Sequence, residues 1–305
     1  MSLIHRAVAK QRDKPKSSKV DAPDTKVVEI RVALPLPDYP SSLGSPSPSA
    51  EHDGSTIAID LDKLKLNGFA VPGGDLWAML NQFRVIKRPL ISNAFGHGVA
   101  KVTNGHRIQV TSALPGEGKS YCALNLALSL AAERDCSVLL VDADMAKPSL
   151  PEKLGCAAPD GLMDALIDPS FDIRTLVHRT SIAKLSILFS GRPNRNATEF
   201  LASLAMSDLL DRLSAAYPDH LIVFDSPPLL PTIESRELAV HMGQILLVVE
   251  AGRTPHGAVK AALTTVEKSP VVGLVLNKWN SSRWSSDGGD AQYGYGYGYG
   301  YNARR

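Results

Sequence analysis

Long apolar runs are absent from this sequence. The longest candidate, ALNLALSLAA at residues 123–132, falls well short of the ~20 apolar residues that a membrane-spanning helix needs. The opening MSLIHRAVAKQRDK also lacks the apolar centre of a secretory signal. We therefore expect a soluble protein, or one that is attached to a membrane through a partner.

Cysteine is scarce. The chain contains only Cys122, Cys136 and Cys156, an odd number without metal-ligand spacing or the pattern of a disulfide framework. This usage favours a reducing cytoplasm.

An excess of charge of one sign is missing as well. Lysine and arginine total 33 and aspartate and glutamate 31, which gives a formal net charge of +2. A nucleic-acid-binding protein is usually far more basic, so we expect no nucleic-acid partner.

Residues 1–55 have the composition of a disordered segment. The first part is basic and the second is rich in proline and serine, as in LPLPDYPSSLGSPSPSAE. Such a segment buries too little apolar surface to offset the entropy lost on ordering. A solvated tail is the main interpretation, and contact of the basic run with anionic lipid is the alternative.

Residues 56–98 are predicted to form a helical prelude. Asp75 is a candidate N-cap, Pro89 is expected to end the helix, and the apolar residues between them recur at helical spacing: Leu76, Met79, Leu80, Phe83 and Ile86. The helix either packs on the following domain or, over 75–88, contacts another subunit.

Residues 99–279 alternate between β-rich and helical runs. The predicted strands are 107–112, 137–142, 185–189, 220–225, 245–250 and 271–276, and the predicted helices are 119–133, 161–167, 198–216, 234–242 and 256–268. This alternation predicts an α/β fold with a doubly wound, mostly parallel sheet, in which ligands bind at the carboxyl ends of the strands.

The stretch QVTSALPGEGKSYCALNLAL at residues 109–128 predicts a phosphate-binding loop between a strand and a helix, with Ala113 in place of the usual first glycine. Glycines let backbone N–H groups turn toward phosphate oxygens, a lysine reaches the β- and γ-phosphates, and a serine hydroxyl ligates Mg²⁺. The nucleotide-binding residues predicted here are Pro115, Gly116, Glu117, Gly118, Lys119, Ser120 and Tyr121.

Two apolar strands end in aspartate. Asp142 and Asp144 follow VLLV, and Asp225 follows LIVF. Carboxylates at strand ends beside a phosphate loop suit a Mg²⁺ site and the positioning of an acceptor hydroxyl. The alternative is an acidic turn without function.

Asn277 ends the last predicted strand. Its amide is a candidate to read the adenine edge, and a turn-capping role is the alternative.

The segment 280–305 loses the apolar period and is predicted to be a flexible tail. It contains five of the eight tyrosines, at alternate positions of YGYGYGYGY: Tyr293, Tyr295, Tyr297, Tyr299 and Tyr301. Glycine keeps such a backbone adaptable, so that each phenol can enter a site separately.

Together these motifs resemble the bacterial tyrosine autokinases of capsule and exopolysaccharide loci, the CpsD/CapB-like BY-kinases. The matching segments are TSALPGEGKS, VLLVDADMAKP, LIVFDSPP, GLVLNK and the tyrosine tail. The resemblance implies a cytoplasmic kinase that uses ATP and Mg²⁺ to phosphorylate its own tail tyrosines in trans. Lys119, Asp142 and Asp144 would be catalytic, and Ser120, Asp142, Asp144 and Asp225 would hold the metal.

The resemblance also implies partners. They are other copies of the chain, a tyrosine phosphatase, and a membrane chain-length regulator that would place the kinase at the periphery of the inner membrane. The family's subunit-contact motif Glu-x-x-Arg-x-x-Arg corresponds here to Asn81, Arg84 and Lys87. Ala146, followed by Lys147, stands where the family carries an arginine after the second aspartate.

A second hypothesis is a MinD/ParA-like ATPase switch without kinase activity. That family carries an extra lysine as the second residue of its phosphate loop, where this chain has Leu114, and the tyrosine tail has no role in it. A catalytically weak scaffold is the third alternative, because of Ala146.

Overall fold

The computed structural model describes residues 56–71, 77–96, 101–156, 160–194 and 196–279. Within these residues a single sheet forms the centre of the fold. Its strands are β1 (Thr56–Ile57), β2 (Arg107–Ser112), β3 (Ser137–Asp142), β4 (Val177–Thr180), β5 (Leu185–Leu188), β6 (His220–Asp225), β7 (Gln244–Glu250) and β8 (Val271–Asn277).

The strand order is β1-β4-β5-β3-β6-β2-β7-β8. The neighbouring pairs are parallel, apart from β4 and β5, which are antiparallel. The predicted doubly wound, mostly parallel sheet is therefore confirmed. In β2, β5 and β6 every residue is buried, as expected for strands that are covered on both faces.

Helices cover both faces of the sheet. They are α1 (Leu61–Leu66), α2 (Trp77–Phe95), α3 (Lys119–Ala131), α4 (Leu150–Leu154), α5 (Leu162–Ile167), α6 (Ile173–Leu176), α7 (Ala197–Leu201), α8 (Leu204–Ala216), α9 (Ile233–Ala239) and α10 (His256–Thr265).

Two apolar cores result from the alternation of side chains along the strands. On β6, Leu221 and Val223 belong to the core that contains α3, whereas Ile222 and Phe224 belong to the core that contains α8. Because successive strand residues face opposite sides, the near-continuous apolar runs of these strands supply both cores at once.

The predicted helix at 198–216 is two helices. α7 ends at Leu201 and α8 begins at Leu204, with Ser203 extended between them (φ −89°, ψ 162°). The Ser203 hydroxyl donates to the carbonyl of Phe200 at 2.6 Å. A serine side chain that bonds to nearby backbone competes with the helical pattern, which is the physical reason for the break.

The prediction that Pro89 ends its helix is wrong, because α2 continues from Trp77 through Pro89 to Phe95. Proline removes one helical hydrogen bond, but tertiary contacts hold the second half of α2. Leu90 is buried and its carbonyl accepts from the Gln244 amide at 3.0 Å. The Asn93 amide donates to the Gln244 side-chain oxygen at 2.9 Å.

Several predictions concern residues outside those described. They are the disordered segment 1–55, the N-cap Asp75 with Leu76, the side chains of Met79, Leu80 and Asn81, and the tail 280–305 with its tyrosines. Among the helices that are described, none combines the length and the apolar character needed to cross a membrane.

Candidate active site

The predicted phosphate loop lies at the carboxyl end of β2. The strand ends at Ser112 and α3 begins at Lys119. Between them Gly116 and Gly118 have positive φ values of 84° and 96°, a conformation that favours glycine. A Cβ on Gly118 would lie 2.1 Å from Nδ2 of Asn277, so the close approach of these two segments also requires glycine.

The first turn of α3 is open to an anion. Its N-cap is Gly118, which has no side chain to accept from the first backbone N–H groups. Those N–H groups and the positive end of the helix dipole therefore point at the volume enclosed by the loop.

Lys119 is the first residue of α3 and pairs with Asp144. Its Nζ is 3.0 Å from Oδ2 of Asp144, and the two side chains are 16% and 8% exposed. The other oxygen of Asp144 accepts from the backbone N–H of Lys147 at 3.1 Å. The structure thus brings together two of the three residues predicted to be catalytic.

The third, Asp142, faces Asp225 across neighbouring strands. The two residues are in register on β3 and β6, and both are fully buried. Burial and repulsion from Asp225 raise the pKa of Asp142 to about 7, although N–H groups of Leu150 and Asp144 donate to it at 3.3 Å. Burial also raises the pKa of Asp225 to about 6, against the opposing attraction of Lys119.

Asp225 carries two buried oxygens that have no hydrogen-bond partner within the described residues. The Ser120 hydroxyl is close enough to lower the pKa of Asp225, without the geometry of a full hydrogen bond. A buried carboxylate without partners is costly unless a cation or donor satisfies it. Asp225, Asp142 and Ser120 thus fit a divalent cation.

A cation here would need ligands beyond the carboxylates. Among the described residues, no group of three or more His, Cys, Asp or Glu side chains is arranged to hold a metal ion by itself. Mg²⁺ in nucleotide sites is typically held by one or two carboxylates together with phosphate oxygens. The arrangement therefore suits a metal that arrives with a nucleotide.

Helix α4 packs against this site, which the sequence did not predict. The hydroxyl of Ser149, its N-cap, donates to the Ser120 hydroxyl at 3.4 Å, and the first N–H of the helix, from Leu150, donates to Asp142. Lys153 on this helix is partly buried and interacts electrostatically with Asp225. Sequence reasoning missed Lys153, because only the placement of α4 brings it near the site.

The side chain of Glu117 is a second feature that sequence reasoning missed. Glu117 was predicted as part of the loop that surrounds phosphate, but its carboxylate is only 3% exposed and points into the protein. It accepts from the backbone N–H of Leu114 at 2.8 Å and from the hydroxyl of Thr254. The carboxylate therefore joins the phosphate loop to the segment after β7.

Asn277 and Lys278 hold the same loop from the end of β8. The Asn277 amide donates to the Glu117 carbonyl at 2.8 Å, and Lys278 Nζ donates to the Gly116 carbonyl at 2.7 Å. Lys278 also pairs with Glu250 at 3.1 Å, which lowers the pKa of Glu250. The side chain of Asn277 thus contacts the phosphate loop, and one of its amide N–H groups is engaged by the backbone carbonyl of Glu117.

The remaining predicted loop residues lie at the edge of the site. Pro115 is exposed, and Tyr121 is partly exposed in the first turn of α3. The Tyr121 hydroxyl donates to the carbonyl of Gly68 at 2.9 Å, and its ring lies 5.2 Å from that of Phe69. These contacts join the segment before α2 to the helix that carries Lys119.

The predicted subunit-contact residues lie on α2 in different surroundings. Arg84 is exposed, whereas Lys87 is 5% exposed. Lys87 Nζ donates to the Ser129 carbonyl on α3 and pairs with Glu133 at 2.7 Å. Lys87 is therefore engaged in contacts within its own chain, and its role in a subunit contact stays a prediction.

The positions that follow the second aspartate are on the surface. Ala146 and Lys147 are both exposed. Lys147 contacts Asp144 through its backbone N–H, as described above.

Comparison with known proteins first identifies the phosphate-loop region. A family profile described as "ParA: NUBPL iron-transfer P-loop NTPase" matches residues 103–228. The matched region runs from just before β2 to just beyond β6 and contains the loop and all three aspartates.

Comparison of whole sequences identifies tyrosine-protein kinases. The chain is 34% identical over 184 residues to the tyrosine-protein kinase YwqD of Bacillus subtilis. The aligned segment covers 59% of this chain and 76% of YwqD. It is 37% identical over 175 residues to the succinoglycan biosynthesis transport protein ExoP of Rhizobium meliloti, covering 56% of this chain but only 22% of ExoP.

A solved structure extends this similarity to the fold. The kinase domain of VpsO superposes with a TM-score of 0.55 at 30% sequence identity, covering 67% of this chain and 97% of that domain. The similarity therefore includes nearly the whole length of an independently determined kinase domain.

Proposed function

The chain belongs to the family of bacterial tyrosine-protein kinases, and on that basis we propose that it transfers the γ-phosphoryl group of ATP to tyrosines in the tail of another copy of itself. The acceptors are Tyr293, Tyr295, Tyr297, Tyr299 and Tyr301. One observation carries the proposal: a phosphate loop, a lysine and three strand-end aspartates converge at the carboxyl edge of the sheet.

Binding of the nucleotide rests on the loop and Lys119. The N–H groups at the start of α3 donate to phosphate oxygens, and Lys119 contacts the terminal phosphates. Lys119 pairs with Asp144, so a bound triphosphate would compete with that carboxylate for the ammonium group. Asp144 is then released toward the acceptor.

Ser120, Asp142 and Asp225 are the residues that would hold Mg²⁺ as protein ligands. When bound, it supplies neutralisation of the charge on the phosphate oxygens. Asp144 is a further predicted ligand, and its ion pair with Lys119 is the contact that must open for that role.

The transfer itself requires a positioned phenol. Its oxygen forms a bond to the γ-phosphorus as the bond to the bridging oxygen breaks, and that electron pair leaves with ADP. The phenolic proton passes to a strand-end carboxylate. Asp142 and Asp144, the two aspartates predicted to be catalytic, are the carboxylates proposed for this step.

Phosphorylation of the tail tyrosines would also have a regulatory effect. Each phosphate adds about −1.5 to −2 charges, so several on so short a segment repel one another. We propose that this repulsion releases the tail from an assembly of copies and thereby controls the polymerisation and export of an exopolysaccharide or capsule. The name of the relative ExoP connects that protein to succinoglycan biosynthesis and transport.

We propose the partners from the same assignment to the tyrosine-kinase family. A membrane chain-length regulator would activate the kinase and hold it at the cytoplasmic side of the inner membrane, and a tyrosine phosphatase would reset the tail. Arg84 on the exposed side of α2 is the residue proposed to contact another copy.

A MinD/ParA-like ATPase switch is the second candidate, because the family profile that matches residues 103–228 is a ParA profile. In that case ATP would be hydrolysed and tyrosine would stay unmodified. Leu114 in the phosphate loop and the tyrosine-rich tail favour the kinase.

Incubation of the purified protein with ATP and Mg²⁺, followed by mass spectrometry, separates the two candidates. We expect phosphotyrosine at positions 293–301 in the wild type and none in Lys119→Met, with both proteins folded. ATP hydrolysis without phosphotyrosine would support the switch instead. Label that persists on Lys119→Met would show that the site is assigned to the wrong loop.

A further inference from the structure

We propose that Lys153 supplies the second positive charge of the nucleotide site, beside Lys119, and that this charge lets a site lined by carboxylates accept an anionic nucleotide. The inference deepens the proposed function and rests on it for the identity of the nucleotide. Lys153 lies outside the phosphate loop and outside the aspartate motifs.

The first support is the placement of α4. This helix begins at the site, since its N-cap Ser149 donates to Ser120 and the N–H of Leu150 donates to Asp142. The backbone N–H of Lys153 donates to the Ser149 carbonyl at 3.2 Å, which fixes Lys153 one helical turn beyond. Residues four apart share a helix face, so Lys153 lies on the same face as Ser149.

The direction of the side chain is the second support. In a helix each Cα–Cβ bond tilts toward the N-terminus, so a long side chain covers the preceding turn. For α4 the preceding turn is the one that contacts Ser120 and Asp142. Lys153 is accordingly half-buried, whereas the neighbouring Glu152 is exposed.

The charges around Lys153 supply the third support. Burial lowers its pKa, and this is opposed first by attraction to Asp225 and then by attraction to Asp142, while Lys119 repels it. Its ammonium group thus acts on the groups of the proposed active site from a position outside the loop.

The charge balance explains why a second lysine is needed. Asp142, Asp144 and Asp225 converge here, and Lys119 is already paired with Asp144. The two buried aspartates would otherwise repel an incoming triphosphate. A cation that faces them reduces this repulsion before and during transfer, so its removal should weaken nucleotide binding more than it slows the transfer.

The test compares Lys153→Gln, Lys153→Arg and the control Lys63→Gln in the full-length protein. Lys63 is also a half-buried lysine, on the helix α1 that packs against α4, and its side chain lies next to Gly155. The measurements are the Kd of ATP·Mg²⁺ by direct titration, the KM for ATP and the kcat of tyrosine phosphorylation, with thermal unfolding to verify the fold.

We expect Lys153→Gln to raise the Kd and the KM by about fivefold, with kcat changed less than about twofold, because a partly exposed charge acts over a distance and is screened. Lys153→Arg should restore most of the affinity, and Lys63→Gln should bind like the wild type. The difference should shrink as salt is added.

Equal affinity in Lys153→Gln and Lys63→Gln would overturn the inference, as would failure of Lys153→Arg to recover affinity while folded. The proposed function fails separately, by an absence of phosphotyrosine in the wild type. In that event the binding titration alone still decides the role of Lys153.

Discussion

At the scale of single residues, the main feature of the site is a pair of aspartate side chains that are fully buried. Asp142 and Asp225 lie side by side in a fully buried position, and two oxygens of Asp225 have no partner among the described residues. Such groups reduce the stability of the ligand-free fold. Their arrangement is therefore better explained by binding a cation and phosphate than by folding.

Asp225→Asn should make the ligand-free protein more stable at neutral pH. Folding raises the pKa values of Asp225 to about 6 and Asp142 to about 7, so the folded state binds more protons than the unfolded state between about pH 4 and pH 7. Stability contributed by this pair is then lost as the pH rises through that window. The variant should flatten this decline, because it removes one charge and its repulsion of the other.

Denaturant unfolding at pH 5 and pH 7.5, without nucleotide and Mg²⁺, measures this effect. Asp219→Asn, at an exposed turn before β6, is the matched control and should keep the wild-type decline. A decline of equal size in Asp225→Asn would mean that other groups cause the pH dependence.

Gly118→Ala should damage both the fold and the site. The φ of 96° is strained for alanine, and the new Cβ would collide with the Asn277 amide. We expect the free energy of unfolding to fall by about 1–3 kcal/mol and ATP binding to be lost. Gly257→Ala on α10, where a Cβ meets nothing within 4 Å, is the control and should be neutral or slightly stabilising. Unfolding curves with similar midpoints for the two variants would contradict this explanation.

At the scale of elements, the phosphate loop is held by the ends of β7 and β8. Glu117 connects it to Thr254, and Asn277 and Lys278 donate to its carbonyls. These contacts satisfy backbone groups that face away from the nucleotide, so the N–H groups that face it keep a fixed geometry. A preformed loop lowers the entropy cost of binding.

Glu117→Ala should weaken ATP binding without any direct contact to the nucleotide. The change leaves the N–H of Leu114 without its partner and frees the loop from Thr254. We expect the Kd for ATP to rise on the order of tenfold, with a loss of about 1–3 kcal/mol in stability. Glu152→Ala, on an exposed position of α4, is the control.

Hydrogen exchange of residues 113–118 would show whether the loop has become mobile. Faster exchange in Glu117→Ala than in Glu152→Ala is the expected result. Unchanged exchange together with weaker binding would point to a direct electrostatic role of Glu117 and against the role of a loop support.

The sequence predicted those elements whose signal is local. The strands 107–112, 137–142 and 220–225 have the predicted bounds, because continuous apolar runs ending in polar residues mark strands that are buried on both faces. The short strands β1 (TI) and β4 (VHRT) were missed, since neither contains an apolar run like the LSIL of β5. Pro89 was misread because contacts of α2 with distant Gln244 decide where that helix ends.

The residues of the site were likewise predictable where they belong to a local sequence motif. Lys119, Asp142, Asp144 and Asp225 belong to local motifs at strand ends, and the structure brings them together. Lys153 and the Glu117 carboxylate have no such motif. Their positions follow from the packing of α4 and from the contacts between the phosphate loop and the ends of β7 and β8. These are tertiary contacts, which a local sequence pattern does not encode.

At the scale of the whole molecule, the order of the strands places the site. β2 lies between β6 and β7, and β6 separates it from β3, so the loop after β2 and the aspartates of β3 and β6 meet at one edge. The segment 56–71 joins the far edge through β1 and touches α3 through Tyr121. The site is therefore assembled from elements along most of the described chain, and the proposed acceptor tyrosines belong to the segment 280–305, outside the described residues.

Transfer between copies tests the central claim most directly. One full-length variant carries Lys119→Met and keeps its tail tyrosines, and the other keeps Lys119 but has phenylalanine at positions 293, 295, 297, 299 and 301. The two are mixed with ATP and Mg²⁺, and phosphotyrosine is mapped by mass spectrometry. The account predicts phosphotyrosine on the tail of the Lys119→Met copy in the mixture only. Wild-type protein that is phosphorylated on its tail, together with a mixture that is not, would contradict transfer between copies.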